Sequence, residues 1–151
     1  MPYIKQEDRS RIIFQRSSNS MMIDANQVKT KGELNFALTV LAKDYIKRFG
    51  LKYDNINDVV GAFIEAINKV NDVGNLILPA SVICSHLIHN KLDLLERFLS
   101  LASYFVENNR LKKGYLLDVK GALDGAKCEF QRIVVNPYED QKIVENGSID
   151  Y

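Results

Sequence analysis

Residues 30–50 read TKGELNFALTVLAKDYIKRFG and contain every signal of an amphipathic α-helix. Thr30 and Glu33 form a capping box, in which each side chain satisfies a backbone N–H that the first helical turn leaves open. Gly50 suits the position just after the last turn. One continuous apolar stripe recurs every three or four residues: Leu34, Ala37, Leu38, Leu41, Ala42, Tyr45, Ile46 and Phe49. The pattern predicts a helix over 30–49 that buries one face.

The same periodicity predicts helices in the rest of the chain. They are expected at residues 6–14, 55–70, 79–89, 92–107, 115–135 and 137–145. Residues 17–20 are expected to form a loop. Asn136 is predicted to cap the last helix and Gly147 to end it. Because no segment sustains strict alternation of apolar and polar residues, we predict no β-sheet. The expected fold class is all-α, a bundle of five to six helices.

The helix predicted at 92–107 is apolar around more than half of its circumference. Such a helix lies either at the centre of the core or against a second subunit. We therefore expect a homo-oligomer, with a dimer favoured.

Two sequence matches indicate an internal duplication of a helix pair. Asp58-Val59-Val60-Gly61-Ala62 recurs as Asp118-Val119-Lys120-Gly121-Ala122, at an offset of 60 (118 − 58). Gly32-Glu33-Leu34 resembles Gly74-Asn75-Leu76 at an offset of 42 (74 − 32). The simplest account is the duplication of one pair of helices. The helices predicted at 30–49 and 55–70 would form the first copy, and those at 79–89 and 115–135 the second. The helix at 92–107 would be an addition to the second copy. Chance similarity between helical segments is the alternative. A glycine inside each matched helix suggests that another backbone packs there.

The duplication divides the single domain, residues 1–151, into four parts. Residues 1–29 form an N-terminal arm and 30–72 the first helical unit. Residues 73–136 form the second unit with its extra helix, and 137–151 form a C-terminal tail.

Composition restricts the class of protein. The chain has 20 Lys and Arg against 19 Asp and Glu, a formal net charge of +1, which argues against nucleic-acid binding. Cys84 and Cys128 lie in apolar stretches and are expected to be core thiols in a reducing compartment. The N-terminus is polar where a signal peptide would be apolar, and no run is long enough for a membrane span. We therefore expect a soluble cytoplasmic protein with no membrane partner.

Three stretches of the chain have a distinctive sequence: Met1-Pro2-Tyr3-Ile4 with Glu7-Asp8-Arg9, Gly32-Glu33-Leu34-Asn35, and residues 129–147, EFQRIVVNPYEDQKIVENG. Through them the chain resembles a family of short uncharacterised bacteriophage proteins. The chain departs from the family by an inserted stretch at about 70–113 and by Gln131 in place of the usual aromatic residue. The resemblance implies a phage or prophage origin, so that the compartment would be the host cytoplasm. It supplies no activity, cofactor or catalytic residue.

No catalytic constellation can be assembled from the sequence. His86 and His89 lie three residues apart near Cys84, but zinc needs three or four ligands and no companion set follows. Carboxylates at Glu65, Asp118, Asp124 and Glu129 lack the paired spacing of a metal site in a helical bundle. No nucleophile lies beside a base, and no glycine-rich phosphate loop is present. We predict no catalytic residue, no metal and no cofactor.

The densest polar cluster is C-terminal. It comprises Arg132, Tyr138, Glu139, Asp140, Lys142, Glu145 and Asn146. The interpretation we favour is capping and solvation of a corner between helices. The alternative is a recognition surface in which Arg132 and Tyr138 are the anchors.

The expected function is a non-catalytic binding protein of phage origin. It would act in host takeover or counter-defence by binding a host protein or a small nucleotide ligand. The alternative is a small metal-dependent enzyme that processes nucleotides.

Overall fold

A computed structural model describes residues 4–17, 20–70, 82–84 and 87–147. The elements in these residues are α1 (Gln6–Ile12), β1 (Ile13–Ser17), β2 (Ser20–Asp24), α2 (Lys31–Phe49), α3 (Tyr53–Lys69), β3 (Val82–Cys84), α4 (Lys91–Asn109), α5 (Tyr115–Phe130) and α6 (Asn136–Asn146). A 3₁₀ turn, Ala25–Gln27, precedes α2, and a π-helical turn, Gln131–Val135, joins α5 to α6. The predicted all-α bundle is confirmed.

A small antiparallel sheet in the order β1-β2-β3 accompanies the helices, and the prediction of no sheet was therefore wrong. Ser17 and Ser20, predicted as loop, pair with each other at the end of the β1–β2 hairpin, and residues 18–19 lie outside the described part. Ile12 and Ile23 are fully buried beneath the helices. Strands of three to five residues are too short for alternation to stand out from a helical pattern.

The helix predicted at 79–89 was also wrong where the chain is described. Val82–Cys84 forms β3, and residues 88–89 belong to no helix. Residues 79–81 and 85–86 lie outside the described part. A short apolar run has the same appearance in a buried strand as in a helix, and here sheet pairing with β2 decides between the two.

The internal duplication is confirmed, but its register differs from the one predicted. One offset, the 60 residues that separate Asp58 from Asp118, relates α2 to α4 and α3 to α5. The helix α4 is therefore the counterpart of α2 and not an added helix. The caps repeat at this offset. Thr30 accepts the N–H of Glu33, and Asn90 accepts the N–H of Asp93. The Gly32–Gly74 match was misleading, because it equated a helix with residues that precede β3.

Reciprocal contacts show that the two units are related by a pseudo-two-fold axis. Arg48 Nη1 donates to the carbonyl of Ile88 at 3.3 Å. Asn108, the counterpart of Arg48, donates through Nδ2 to the carbonyl of Val28, the counterpart of Ile88, at 3.4 Å. Contacts that repeat with exchanged roles are those of a two-fold dimer. The chain has the architecture of such a dimer within one polypeptide.

Each unit buries its apolar face mainly against the other unit. The helix α2 packs most extensively on α5, and α3 packs most extensively on α4. Phe63 of α3 stacks on Phe98 of α4 with ring centroids 4.4 Å apart. Because most of the apolar residues of α4 are buried in this core, the breadth of its apolar surface no longer indicates a second subunit.

Lysine side chains, rather than another backbone, cover the repeated helical glycines. A Cβ at Gly61 would lie 2.9 Å from Nζ of Lys91, and one at Gly121 would lie 2.8 Å from Nζ of Lys31. Glycine therefore makes room for a lysine of the opposite unit. The expectation of a close backbone approach was wrong.

The chain runs from α5 to α6 without leaving helical conformation, so Asn136 is not the N-cap predicted for the last helix. Its backbone φ and ψ are −61° and −46°, and its N–H donates to the carbonyl of Gln131, five residues earlier. A wider π turn fits the ring of Pro137, which has no N–H and would clash with the carbonyl of a regular turn. Gly147 ends α6 at φ +86°, as predicted.

The expectation of two core thiols in helical stretches was wrong. Cys128 is an exposed free thiol on α5, because it lies outside the apolar seam of that helix. Cys84 belongs to β3 and not to a helix. Among the described helices, none combines the length and apolarity that crossing a membrane requires.

Candidate functional site

Tyr138 is the buried member of the predicted C-terminal cluster. Its ring meets that of Tyr53 edge to face, with centroids 4.9 Å apart, and Nζ of Lys142 lies 5.5 Å from its centroid. The contact with Tyr53 attaches α6 to the start of α3. Tyr138 is therefore part of the packing between elements.

Lys142 and Glu145 form an exposed ion pair one turn further along α6. Lys142 Nζ lies 3.1 Å from a carboxylate oxygen of Glu145, whose other oxygen accepts from Gln141. The hydrogen bond raises the pKa of Lys142 and lowers the pKa of Glu145. Exposed pairs of this kind contribute little to stability.

The remaining predicted residues are exposed. Glu139, Asp140 and Asn146 lie at the surface of α6. Arg132 lies in the π turn and pairs with the buried carboxylate of Glu129 on α5. The predicted cluster is thus divided between two places. Arg132 lies in the π turn beside the buried Glu129, and the other residues lie on α6.

A groove runs between the C-terminal half of α2 and the chain that returns through the π turn and α6. We call it the C-terminal groove, and its volume is about 290 Å³. Its lining comprises Lys43, Ile46, Lys47, Leu51, Ile133, Val134, Pro137, Tyr138 and Gln141. Only Tyr138 belongs to the predicted cluster. The opposite wall of the groove is formed by α2. The feature of the sequence that could have indicated this wall is the pair Lys43 and Lys47, which lie one turn apart beside the apolar stripe of that helix.

The groove combines an apolar floor with a cationic rim. Ile46, Ile133 and Val134 provide the floor. Lys43 and Lys47 are exposed, and neither forms an ion pair with a carboxylate of the described residues. Two lysines at a spacing of four residues lie on the same helix face, so both charges border the same groove.

A smaller cavity of about 140 Å³ adjoins the groove and shares Lys43 and Ile133 with it. We call it the Arg9 pocket; its other lining residues are Arg9, Phe36, Thr39, Val40 and Glu129. Helix α1 contributes Arg9 and α5 contributes Glu129. The residues from α2 are Phe36, Thr39, Val40 and Lys43. The two cavities therefore lie next to each other along α2.

The pseudo-two-fold axis supplies an internal comparison for these two cavities. The counterparts of Phe36, Lys43 and Lys47 in the second repeat are Glu96, Ser103 and Glu107. Leu111, the counterpart of Leu51, is fully exposed, whereas Leu51 is partly covered. The aromatic ring, the two lysines and the partly covered leucine thus occur on one of the two equivalent faces.

The carboxylates considered as a metal site lie in separate ion pairs. Glu65 pairs with Lys91 at 2.8 Å, Asp118 with Lys112 at 3.6 Å and Asp124 with Lys127 at 3.9 Å. Within residues 4–17, 20–70, 82–84 and 87–147, no three His, Cys, Asp or Glu residues are grouped so that they could hold a metal. His89 is exposed, and His86 lies outside these residues.

Comparison with known proteins identifies the family. No curated protein and no solved structure matches the chain. The family described as Domain of unknown function (DUF6899) matches residues 1–72 and 82–149. Each matched segment contains one copy of the strand and helix-pair unit, and the second includes residues 82–113, which the sequence analysis treated as part of an insertion. Since the two segments span most of the 151 residues, the chain belongs to the DUF6899 family.

Proposed function

We propose that this protein is a non-catalytic binding protein of phage origin that binds a host protein through the C-terminal groove. It would act in the host cytoplasm, in host takeover or counter-defence. The observation that carries the proposal is the lysine rim over an apolar floor, present on one of two pseudo-equivalent faces. The resemblance of the chain ends to phage proteins supports the biological setting.

The shape of the groove favours a protein segment over a small nucleotide. Pockets for small molecules usually enclose most of their ligand within about 300–1,000 Å³. The C-terminal groove lies at the lower limit of this range and is open along α2. An amphipathic helix needs only one edge of its surface to be covered, and it binds by placing apolar residues in such a groove.

The charge of the rim specifies the chemistry of the partner. Acidic residues flanking the apolar face of the partner helix would meet Lys43 and Lys47. Charge complementarity of this kind sets orientation and speeds association. We therefore propose an acidic amphipathic helix as the bound segment.

The π turn supports a role for this part of the chain. Ile133 and Val134 lie within the turn, and Pro137 follows shortly after it. Single π turns cost helical regularity and occur frequently at functional sites. Here the turn directs two apolar side chains towards α2.

Site-specific photocrosslinking in host lysate tests the proposal. A photoreactive phenylalanine analogue is placed at Leu51, in the groove, or at Leu111, its pseudo-equivalent on the opposite face. We expect one host protein to be captured from position 51 and not from position 111. The double variant Lys43→Glu/Lys47→Glu should abolish capture, whereas Lys112→Glu/Lys113→Glu, with the same change of charge, should preserve it.

Three results would contradict the proposal. They are equal capture from positions 51 and 111, capture that survives the change at Lys43 and Lys47, and turnover of nucleotides in the presence of Mg²⁺ or Mn²⁺. The last would favour the metal-dependent enzyme. Saturable binding of an unmodified nucleotide in the groove would replace the protein partner by a small ligand.

A further inference from the structure

We infer that the Arg9 pocket is a subsite for a single carboxylate group. The source of that carboxylate, an acidic side chain of the helix bound in the C-terminal groove, rests on the proposed function. The preference of the pocket for a carboxylate does not, because it can be measured on the free protein with a small anion.

Arg9 is held in place before any ligand arrives. Its Nε donates to the carbonyl of Ile4 at 3.2 Å, and its guanidinium carbon lies 5.5 Å from the centroid of the Phe36 ring. No carboxylate of the described residues forms an ion pair with it. The two Nη groups therefore have no carboxylate partner among those residues. A fixed guanidinium with both Nη groups available matches the two oxygens of a carboxylate.

The pocket adjoins the groove and has the capacity for one group. Lys43 and Ile133 line both cavities, so an acidic side chain of a helix in the groove can reach Arg9 past Lys43. A volume of about 140 Å³ is too small for a nucleotide and is suited to a carboxyl-bearing side chain. Lys43 adds a second positive charge at the entrance.

Glu129 makes a carboxylate a better ligand than a phosphate. Its buried carboxylate lines the pocket and is paired with Arg132. A phosphate carries about two negative charges at neutral pH, so it would be repelled by Glu129 more strongly than a singly charged carboxylate.

The seam between α2 and α5 contains two polar residues at positions where the equivalent seam, between α4 and α3, has leucines. Asn35 and Thr39 are buried on α2, and the Thr39 hydroxyl donates to the carbonyl of Asn35 at 2.8 Å. Their counterparts in the second repeat are Leu95 and Leu99. Burying polar groups costs free energy that two leucines would not, so this polar pair beside the pocket supports a polar ligand at its edge.

A titration of the full chain with sodium propionate tests the inference. The Arg9 Nε–H signal and the Phe36 ring signals are followed by NMR, with sodium phosphate and sodium chloride as comparison anions at equal ionic strength. We expect saturable shifts with propionate in the millimolar range, shifts at least several-fold weaker with phosphate, and none that saturate with chloride. Arg110, which pairs with Glu107 on the surface, should not respond.

Two variants separate binding from structure. Lys43→Gln leaves the Arg9 contacts intact and should weaken the propionate response several-fold, and Arg9→Gln should abolish the saturable shift at Phe36. The inference is overturned if chloride reproduces the shifts, if phosphate binds more tightly than propionate, or if both variants respond as the parent does. Since no partner takes part, these outcomes are independent of the crosslinking result. Propionate binding without a crosslinked partner would reject the proposed function alone.

Discussion

Ile23 of β2 pairs with Ile83 of β3, and the two residues are equivalent members of the two repeats (83 − 23 = 60). When equivalent residues face each other in an antiparallel pair, a two-fold axis must pass between them. Both side chains are buried, so the axis crosses the sheet beneath the helices. The unpredicted sheet therefore joins the two units in addition to the helix contacts between them.

The axis explains why the helix pairs are not self-contained. Each unit presents its apolar face to the other, as the subunits of an obligate dimer do. One unit alone would expose that face to water. The fusion of both units in a single chain keeps the partner permanently available.

The first prediction concerns the glycines on α5. Gly121→Ala should raise the free energy of unfolding by about 0.5–1 kcal/mol, because alanine is the better helix former and the exposed end of Lys31 can move aside. Gly125→Ala should lower it by about 1–3 kcal/mol, because the new Cβ would lie 2.6 Å from Nδ2 of the buried Asn35. Urea denaturation measures both. Equal effects of the two changes would refute this account.

The second prediction concerns the aromatic centre of the α3–α4 contact. Phe98→Ala removes the ring that stacks on Phe63 and should cost about 3–5 kcal/mol. Leu117→Ala, at an exposed position on α5, should change stability by less than about 0.5 kcal/mol. Thermal and chemical unfolding provide the measurement. A loss below about 1 kcal/mol for the phenylalanine variant would mean that the two units do not share a core there.

The third prediction concerns stability at high pH. Burial, together with the hydrogen bond donated to Asp58, raises the pKa of Tyr45 from 10.0 to about 12. The unfolded chain therefore loses this proton first. The contribution of the protonated Tyr45 to the free energy of unfolding is complete below pH 10 and disappears as the pH rises through about 12.

Tyr45→Phe is the variant that tests this dependence. At neutral pH it should reduce the free energy of unfolding by about 1 kcal/mol. The deficit relative to the parent should shrink as the pH rises towards 12. Unfolding curves for both proteins across this interval, with ultraviolet detection of tyrosinate, supply the comparison. A deficit independent of pH would show that the hydroxyl is not the titrating group.

The fourth prediction separates the two interpretations of the C-terminal cluster. Tyr138→Ala removes the ring that contacts Tyr53 and should weaken the attachment of α6, with faster amide hydrogen exchange confined to that helix. Tyr138→Phe keeps the ring and should leave exchange unchanged. If phenylalanine were as harmful as alanine, the phenol hydroxyl and not the packing of the ring would be responsible.

Glu145→Gln is the companion change on the exposed face of α6. Losing the carboxylate should return the pKa of Lys142 towards its ordinary value without a measurable change in melting temperature. NMR titration of the lysine provides the measurement. A clear drop in melting temperature would assign a structural role to the pair.

Local sequence signals predicted most of the described helices. The capping box at Thr30 and Glu33 and the apolar stripe behind it place α2 at Lys31–Phe49, and Gly147 ends α6 as expected. These features depend on residues within one or two turns of each other. Hydrogen bonding at a cap and burial of one helix face leave a periodic trace in the sequence.

The candidate site was less predictable. Of the seven residues in the predicted cluster, Tyr138 alone lines the C-terminal groove. Arg9 belongs to α1, whereas Phe36 and Lys43 belong to α2, and no spacing rule links an arm residue to the middle of α2. Only the contact of α1 with α2 brings Arg9 to the other two residues.

The sequence by itself determined the helical class and the capping box of α2, because both depend on side chains close together along the chain. It also showed that a duplication exists, because the repeated segment kept its residues. Tertiary structure alone decided the register of the repeat, the strand at Val82–Cys84 and the exchange of helix partners between units. A three-residue strand gains its stability from the neighbour with which it pairs, and that neighbour lies far away in sequence. The arrangement of the two repeat units is therefore set by strand pairing across the pseudo-two-fold axis. It is not set by the local conformational preference of any segment.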